Sequence, residues 1–467
     1  MSALDRSTDA GPLRAAVGRD RALSACHAAV ASALAAGADQ ASAFLAARNA
    51  GYTRFAQDRV HQPQDICEWT LMVRAEVDGR ASRVATTDLE AASTIGERAT
   101  ERARALAVAY GHLPALRVAA TTAEADDQDA SLWLEDTAAW DTGARTAAAR
   151  ATMAEAARAG GAAYGMYGHA ATELATVTAQ GVSRYARATE AVGGLTVRIG
   201  DGTSHWTDVD RSLGVLDLEA AAVRTVREAH AGQHRVDLPD GTYDVVLGPL
   251  ATGALLERIS AFGFTGEAVA DGVGAVARRP GELVAAAAVD VADDPRARRG
   301  LPFPFDLEGT TSVRVPLLER GRVAQAVTDL ASAARSGLPP TGHAHIAREE
   351  TPHAVPASIT MAGGATEDLL AGVERGLYVQ RLWYLNVIDP ETTTLTGGSR
   401  DACFLVEDGR LARPVAPARF SESVFGALHR VDAIGSEILA QPLMNVWNGC
   451  VSAPAVRVRG FRFGGAT

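Results

Sequence analysis

Asp65-Ile66-Cys67-Glu68-Trp69-Thr70-Leu71-Met72-Val73-Arg74-Ala75-Glu76-Val77-Asp78-Gly79-Arg80 decides the fold class. Trp69, Leu71, Val73 and Ala75 recur at period two, which gives an extended strand one apolar face. Asp78-Gly79 then supplies the residue pair that a tight type I′ turn requires, and residues 81–86 read as the returning strand. Thr87 and Asp88 can cap a helix over 89–109. Upstream, 19–36 is alanine-rich with apolar residues at helical spacing, and Gly37 offers a stop. Residues 41–47 and 53–60 read as two further strands. Helix, antiparallel strands, helix is an α+β order; a doubly wound sheet would alternate strand and helix throughout.

Further along, a helix is expected over 141–158, four short strands up to Trp206, and a helix over 216–231. The remainder is richer in strand and turn signals, at 243–247, 311–316, 323–328, 382–388 and 456–463. The acidic run Glu124-Ala125-Asp126-Asp127-Gln128-Asp129 reads as a linker, and Pro239-Asp240-Gly241 as a boundary. The expected division is an N-terminal α+β domain at 1–118, a central helix-plus-strands domain at 119–238, and a strand-rich C-terminal domain at 239–467.

The 467 residues carry 45 Lys+Arg against 56 Asp+Glu, a formal charge of −11. A surface of that sign repels phosphate backbones and anionic lipid, so nucleic acid and membrane are not expected partners. The apolar run 283–289 is far shorter than the roughly 20 residues of a membrane span. The opening residues lack the apolar core of a secretory signal. Cys26, Cys67, Cys403 and Cys450 are scattered with no C-x-x-C pair, which fits free thiols in a reducing cytoplasm.

The common catalytic motifs are missing. Gly272-Val273-Gly274 lacks the third glycine and leading strand of a dinucleotide loop, and there is no phosphate-binding P-loop or G-x-S-x-G elbow. Ser421-Glu422-Ser423 and His429 have no placed acid to complete a triad. His343-Ala344-His345, with His353 eight residues on, is the one histidine cluster. Two histidines at i, i+2 on a strand share a face and could touch one ion. The plainer reading is a Gly/Pro-rich loop, Gly337-Leu338-Pro339-Pro340-Thr341-Gly342, whose histidines make hydrogen bonds.

Phe262-Gly263-Phe264-Thr265-Gly266-Glu267-Ala268-Val269-Ala270-Asp271-Gly272 carries the most information about function. Here the chain resembles the TldD/PmbA (modulator-of-gyrase) metallopeptidases, whose catalytic members read H-E-x-x-x-H, typically H-E-A-V-G-H-G. The Glu-Ala-Val core is present at 267–269, while both zinc histidines are replaced, by Gly266 and Asp271. The family's third ligand, a cysteine, is expected near Ala440 and Gln441, where no such donor stands; Cys450 is close by without the usual glycine-rich context. Other stretches resemble the family in the right order: Arg54 to Gln62, Pro304-Phe305-Asp306-Leu307-Glu308-Gly309, the Ser336–Ala344 loop, Leu395-Thr396-Gly397 and the hairpin Phe404-Leu405-Val406-Glu407-Asp408-Gly409.

A hydrolytic zinc needs about three protein ligands and an open position for water. Glycine offers no donor, and Glu267 without a metal has no acidified water to deprotonate. The resemblance therefore implies the metal-free TldE/PmbA-like half of a heterodimer, with zinc in a TldD-like partner and no cofactor in this chain. The pair would hydrolyse peptide or amide bonds, by analogy in natural-product maturation. Glu267, His343 and His345 are the expected substrate-binding residues, with no catalytic or metal-binding residue assigned. Two alternatives stay open: a stand-alone amide hydrolase using Glu267 with His343 or His345, and a non-enzymatic peptide-binding scaffold.

Overall fold

Residues 16–113, 130–346, 352–444 and 448–464 are described by the computed structural model. The expected linker at 124–129 and the boundary at 118 lie outside them. Six antiparallel strands build the first half: β1 (Gln40–Gln57), β2 (Arg59–Val77), β3 (Arg80–Thr86), β4 (Ala162–Thr178), β5 (Ser183–Ile199) and β6 (Gly202–Asp210), in the order β3-β2-β1-β4-β5-β6. The ladder between β1 and β4 joins the first and second expected units in one sheet. The β2–β3 turn has Asp78 at φ 53° and Gly79 at φ 72°, the pair of positive φ angles that a type I′ turn demands.

Side-chain alternation sorts this sheet into two buried faces. Odd positions of β1 (Ala41, Ala43, Leu45) pack with α1 (Arg19–Ala35) and α2 (Ala92–Tyr110). Phe55, Tyr167, Leu195 and Trp206 continue this face beneath the longer helices that follow, α4 (Thr142–Arg158) and α5 (Leu218–Ala231), which come after the short α3 (Glu135–Ala138). Asp141 and Asp217 cap α4 and α5 by accepting from the N–H groups of Ala144 and Ala220. Even positions (Phe44, Ala46, Leu174, Ala186, Ala188) pack against Phe303, Phe305, Leu307 and Ala344 from the second half. That second face is where the candidate site sits.

Residues 41–60 depart from the expected two strands: β1 runs unbroken through Gly51, and β2 begins at Arg59. Gly51 does not end the strand because the buried Arg145 guanidinium lies over it, 2.6 Å from where a Cβ would stand. Gly51→Ala is expected to cost about 2 kcal/mol through overpacking, read from the denaturant midpoint.

The second half is a mixed eleven-stranded sheet built on β7 (Gly241–Leu247), β8 (Val291–Asp293), β9 (Val315–Glu319), β10 (Arg322–Val323), β13 (Ser358–Met361), β14 (Arg375–Asp389), β15 (Thr394–Glu407), β16 (Arg410–Pro414), β17 (Arg419–Ser423), β18 (Val431–Pro442) and β19 (Cys450–Phe463). β11 (Ala344–Ile346) and β12 (Pro352–Ala354) form a separate ribbon. β7 pairs with β14 on one side and β19 on the other, so the path β19-β17-β15-β14-β7 closes on itself. Val245, Leu247, Val379, Leu395, Phe420 and Phe461 belong to the core of this half, with Leu255 and Ile259 of α6 (Pro249–Gly263). The strands expected at 311–316 and 323–328 are mostly loop, held in place by single bridges such as Thr265↔Val327.

Candidate functional site

Thr265 ends a short extended stretch: Gly266 N–H donates to Val327 O at 2.8 Å and Val327 N–H to Phe264 O at 2.9 Å. Thr265 Oγ1 then accepts from Ala268 N–H, which starts the five-residue helix α7 (Gly266–Ala270). Gly266 faces α9 (Leu330–Ser336): a Cβ there would lie 2.6 Å from Ser332 Oγ and 2.9 Å from Thr328 Cγ2. Ser332 cannot swing aside freely, because its Oγ accepts from Asp329 N–H in the capping box of α9. Asp271, at the other end of α7, is exposed and ion-paired to Arg335.

Glu267 is half-buried, and its Oε1 accepts from Ala354 N–H at 3.3 Å. Burial raises its pKa, and the neighbouring Asp329 carboxylate adds to that. Ala354 closes β12, whose His353 stands directly opposite His345 of β11. In an antiparallel pair such residues share a face with Cβ atoms about 5 Å apart. The rings of His343 and His345 are edge-to-face with centroids 6.1 Å apart. The structure thus brings Glu267, His343 and His345 into one neighbourhood, together with His353.

Two buried aspartates fix that neighbourhood. Asp293 Oδ2 accepts from Ala357 N–H at 2.6 Å and Ser358 N–H at 3.0 Å, and Oδ1 lies 3.0 Å from His343 Nε2. The His343 contact is an ion-pair approach rather than a well-aligned hydrogen bond. Burial alone would raise the Asp293 pKa; the His343 imidazole and the Ser358 N–H outweigh it and hold the carboxyl below its usual range. Asp306 Oδ2 accepts from Ala344 N–H, and its Oδ1 from the Glu308 and Thr310 N–H groups, so it ties the histidine ribbon to the 306–310 turn. His343 is 1% exposed, and its Nδ1 lies 2.9 Å from Thr341 Oγ1. Its Nδ1 therefore shares a hydrogen bond with Thr341, while Nε2 faces Asp293 without a well-aligned one. Asp293 carries no sequence signal for this role: it lies fifty residues upstream of His343 in an unremarkable Val-Ala-Asp-Asp run. A small cavity lined by Asp293, Asp306, His343, His345, Phe303 and Phe305 adjoins the cluster.

Among the described residues no three His, Cys, Asp or Glu side chains are grouped as metal ligands. Cys450 is buried against Gly300, its Sγ accepts from Leu301 N–H at 3.3 Å, and burial pushes its pKa up to about 12. All four cysteines are free thiols. Ser423, from the hydrolase-like fragment, serves as the N-cap of α10 (Val424–His429). No helix among the described residues is long and apolar enough to cross a membrane.

Residues 240–465 match the PmbA/TldA metallopeptidase C-terminal domain. Residues 240–465 thus form a metallopeptidase C-terminal domain of the PmbA/TldA type. A metalloprotease of Methanothermobacter thermautotrophicus is 24% identical over 223 residues, covering 47% of this chain and 49% of that protein. A metalloprotease of Synechocystis sp. is 30% identical over 210 residues, covering 42% of each. The chain thus matches only about half the length of these curated relatives. The crystal structure of TldE from Thermococcus kodakarensis superposes with a TM-score of 0.80 at 18% identity, over 94% of this chain and all of that one. A modulator of DNA gyrase from Thermotoga maritima gives 0.79 at 17% identity, over 94% and 99%. At these identities the superpositions show that the PmbA/TldD fold extends over the N-terminal sheet as well.

The titrating groups around this site give opposite pH responses. Burial, then the charge of His343, pushes His345 down to about 3 from an ordinary 6.5. The unfolded chain takes up that proton first, so the stability His345 contributes is complete above its ordinary pKa and is lost as pH falls toward about 3. Burial and Asp329 push Glu308 up to about 7 from 4.5. Its contribution is complete below its ordinary pKa and is lost as pH rises through about 7. Glu308→Gln is therefore expected to stabilise the protein at about pH 8 and to leave it unchanged at about pH 5, read from urea midpoints.

Proposed function

We propose that this chain is the zinc-free, substrate-facing subunit of a two-subunit PmbA/TldD peptidase whose partner carries the metal. The observation that carries the reading is the packing of position 266: its neighbours Ser332 and Thr328 fill the space a ligand side chain would need. Asp271 is turned to Arg335, and Cys450 is a protonated, buried thiol. These residues do not fit a zinc centre, and no hydrolytic step is routed through one here. Glu267, His343 and His345 are assigned to shaping and polarity of the substrate channel, with Glu267 placed to meet a peptide N–H group. The substrate is a peptide or amide, and natural-product maturation is one setting for such a pair. The burial of His343, with Nδ1 on Thr341 and Nε2 turned to Asp293, counts against a stand-alone hydrolase that uses it as a base.

The test is reconstitution. The purified chain alone is expected to carry no stoichiometric zinc and to leave peptides intact, and hydrolysis is expected on mixing with a zinc-bearing TldD-like subunit from the same organism. Bound metal with unaided hydrolysis would overturn the assignment. In the mixture, Glu267→Ala is expected to lower kcat/KM by about tenfold, the loss of one hydrogen bond to substrate, without changing the partner's zinc content.

A further inference from the structure

A cavity of about 250 Å³ opens over β8, β13, β18 and β19 and shares no lining residue with the Glu267–histidine cluster. Met361 and Ile438 form its apolar part, while Asp290, Asp294, Arg298 and Arg314 bring charges of both signs to it. Arg298 is exposed and makes no hydrogen bond or ion pair among the described residues. Arg314 Nε stands 3.7 Å from Asp294 Oδ2, beyond hydrogen-bond range, so its donors are also largely free. Arg299, in contrast, is fully committed to Asp208 and Asp210. Asp294 Oδ1 accepts from Arg296 N–H and Asp290 Oδ1 from Arg320 N–H, which orients each carboxylate; Asp294 Oδ2 faces Arg314 at 3.7 Å, short of a hydrogen bond, and Asp290 Oδ2 is left to accept.

A simple anion would meet the two aspartates, and a simple cation the two arginines. A ligand that carries both charges a few ångströms apart satisfies all four groups. We propose that this pocket binds a small zwitterion, a free amino acid or short unblocked peptide, with its carboxylate on Arg298 and Arg314 and its ammonium on Asp290 and Asp294. The ligand's side chain lies toward Met361 and Ile438. The room suffices, since a cavity of about 150 Å³ already holds benzene. This inference goes beyond the peptidase reading and does not depend on it, because the charges and volume stand whatever the chain's partner does.

Calorimetric titration of the full chain with L-leucine and L-leucyl-L-leucine tests it, with N-acetyl-L-leucine and L-leucinamide as singly charged controls. One or both zwitterions are expected to bind, each control at least about tenfold more weakly, and Arg298→Ala is expected to lose about tenfold in affinity. Which of the two binds more tightly reports the length the pocket takes. Arg298 is exposed and unpartnered, so its replacement leaves the fold intact, which circular dichroism checks. Absence of heat with both zwitterions at millimolar concentration, controls that bind equally, or an Arg298→Ala variant that binds as well as the parent would each overturn the proposal.

Discussion

Asp293→Ala is expected to destabilise the protein by about 4 kcal/mol, because it strands a buried imidazole and two buried N–H groups at once. Asp293 is 1% exposed, and it holds His343, Ala357 and Ser358 together across two segments of chain. Removing the carboxylate leaves each partner desolvated without compensation, and water has little access. Asp293→Asn keeps one oxygen and should lose roughly half as much if that oxygen stays on the two N–H groups. His343→Ala removes the contact with Asp293 and the hydrogen bond with Thr341 but leaves the two N–H groups on the carboxylate, with a cost of about 2 kcal/mol and a small cavity. A double-mutant cycle between 293 and 343, measured by urea unfolding, should give a coupling of about 2 kcal/mol. A single-variant loss below about 1 kcal/mol would mean that the pair is decorative.

The contrast between what the sequence announced here and what it hid follows from the range of the forces involved. The β2–β3 hairpin was legible because Asp78-Gly79 and the alternation of Trp69 to Ala75 are local: steric preference and side-chain period act over a few residues. The cap at Asp88 was legible for the same reason. The break expected inside β1 was wrong because the residue that makes Gly51 tolerable, Arg145, comes from α4 far along the chain. Likewise the loop between Gly337 and Ala344 looked like a histidine-bearing turn, and it is one. Its clamp by Asp293 and Asp306 depends on chain segments that no local pattern connects to it. Glu267, His343 and His345 were brought into view by motif and spacing; that they meet through the β11–β12 ribbon, and that His353 joins them, is a tertiary fact.

Restoring the two histidines should not restore a zinc centre. The double variant Gly266→His/Asp271→His is expected to purify with less than about 0.1 zinc per chain and to lose about 3 kcal/mol of stability. The loss comes mainly from position 266, where the new Cβ must displace Ser332 Oγ from 2.6 Å and Thr328 Cγ2 from 2.9 Å. Moving Ser332 breaks the capping box that starts α9, and moving Thr328 strains its hydrogen bonds to Thr341. Replacing Asp271 also releases Arg335, a smaller effect because that pair is on the surface. Even with both imidazoles present, a third ligand must come from elsewhere, and the Cys450 thiol is buried, protonated and already accepting a backbone N–H. Two imidazoles alone do not make a closed or a hydrolytic first shell. Metal analysis and thermal unfolding of the double variant decide the matter. Stoichiometric zinc in a stable double variant would mean that the packing around α7 tolerates a metal centre and that substitution at two positions alone separates this chain from a zinc-bearing one.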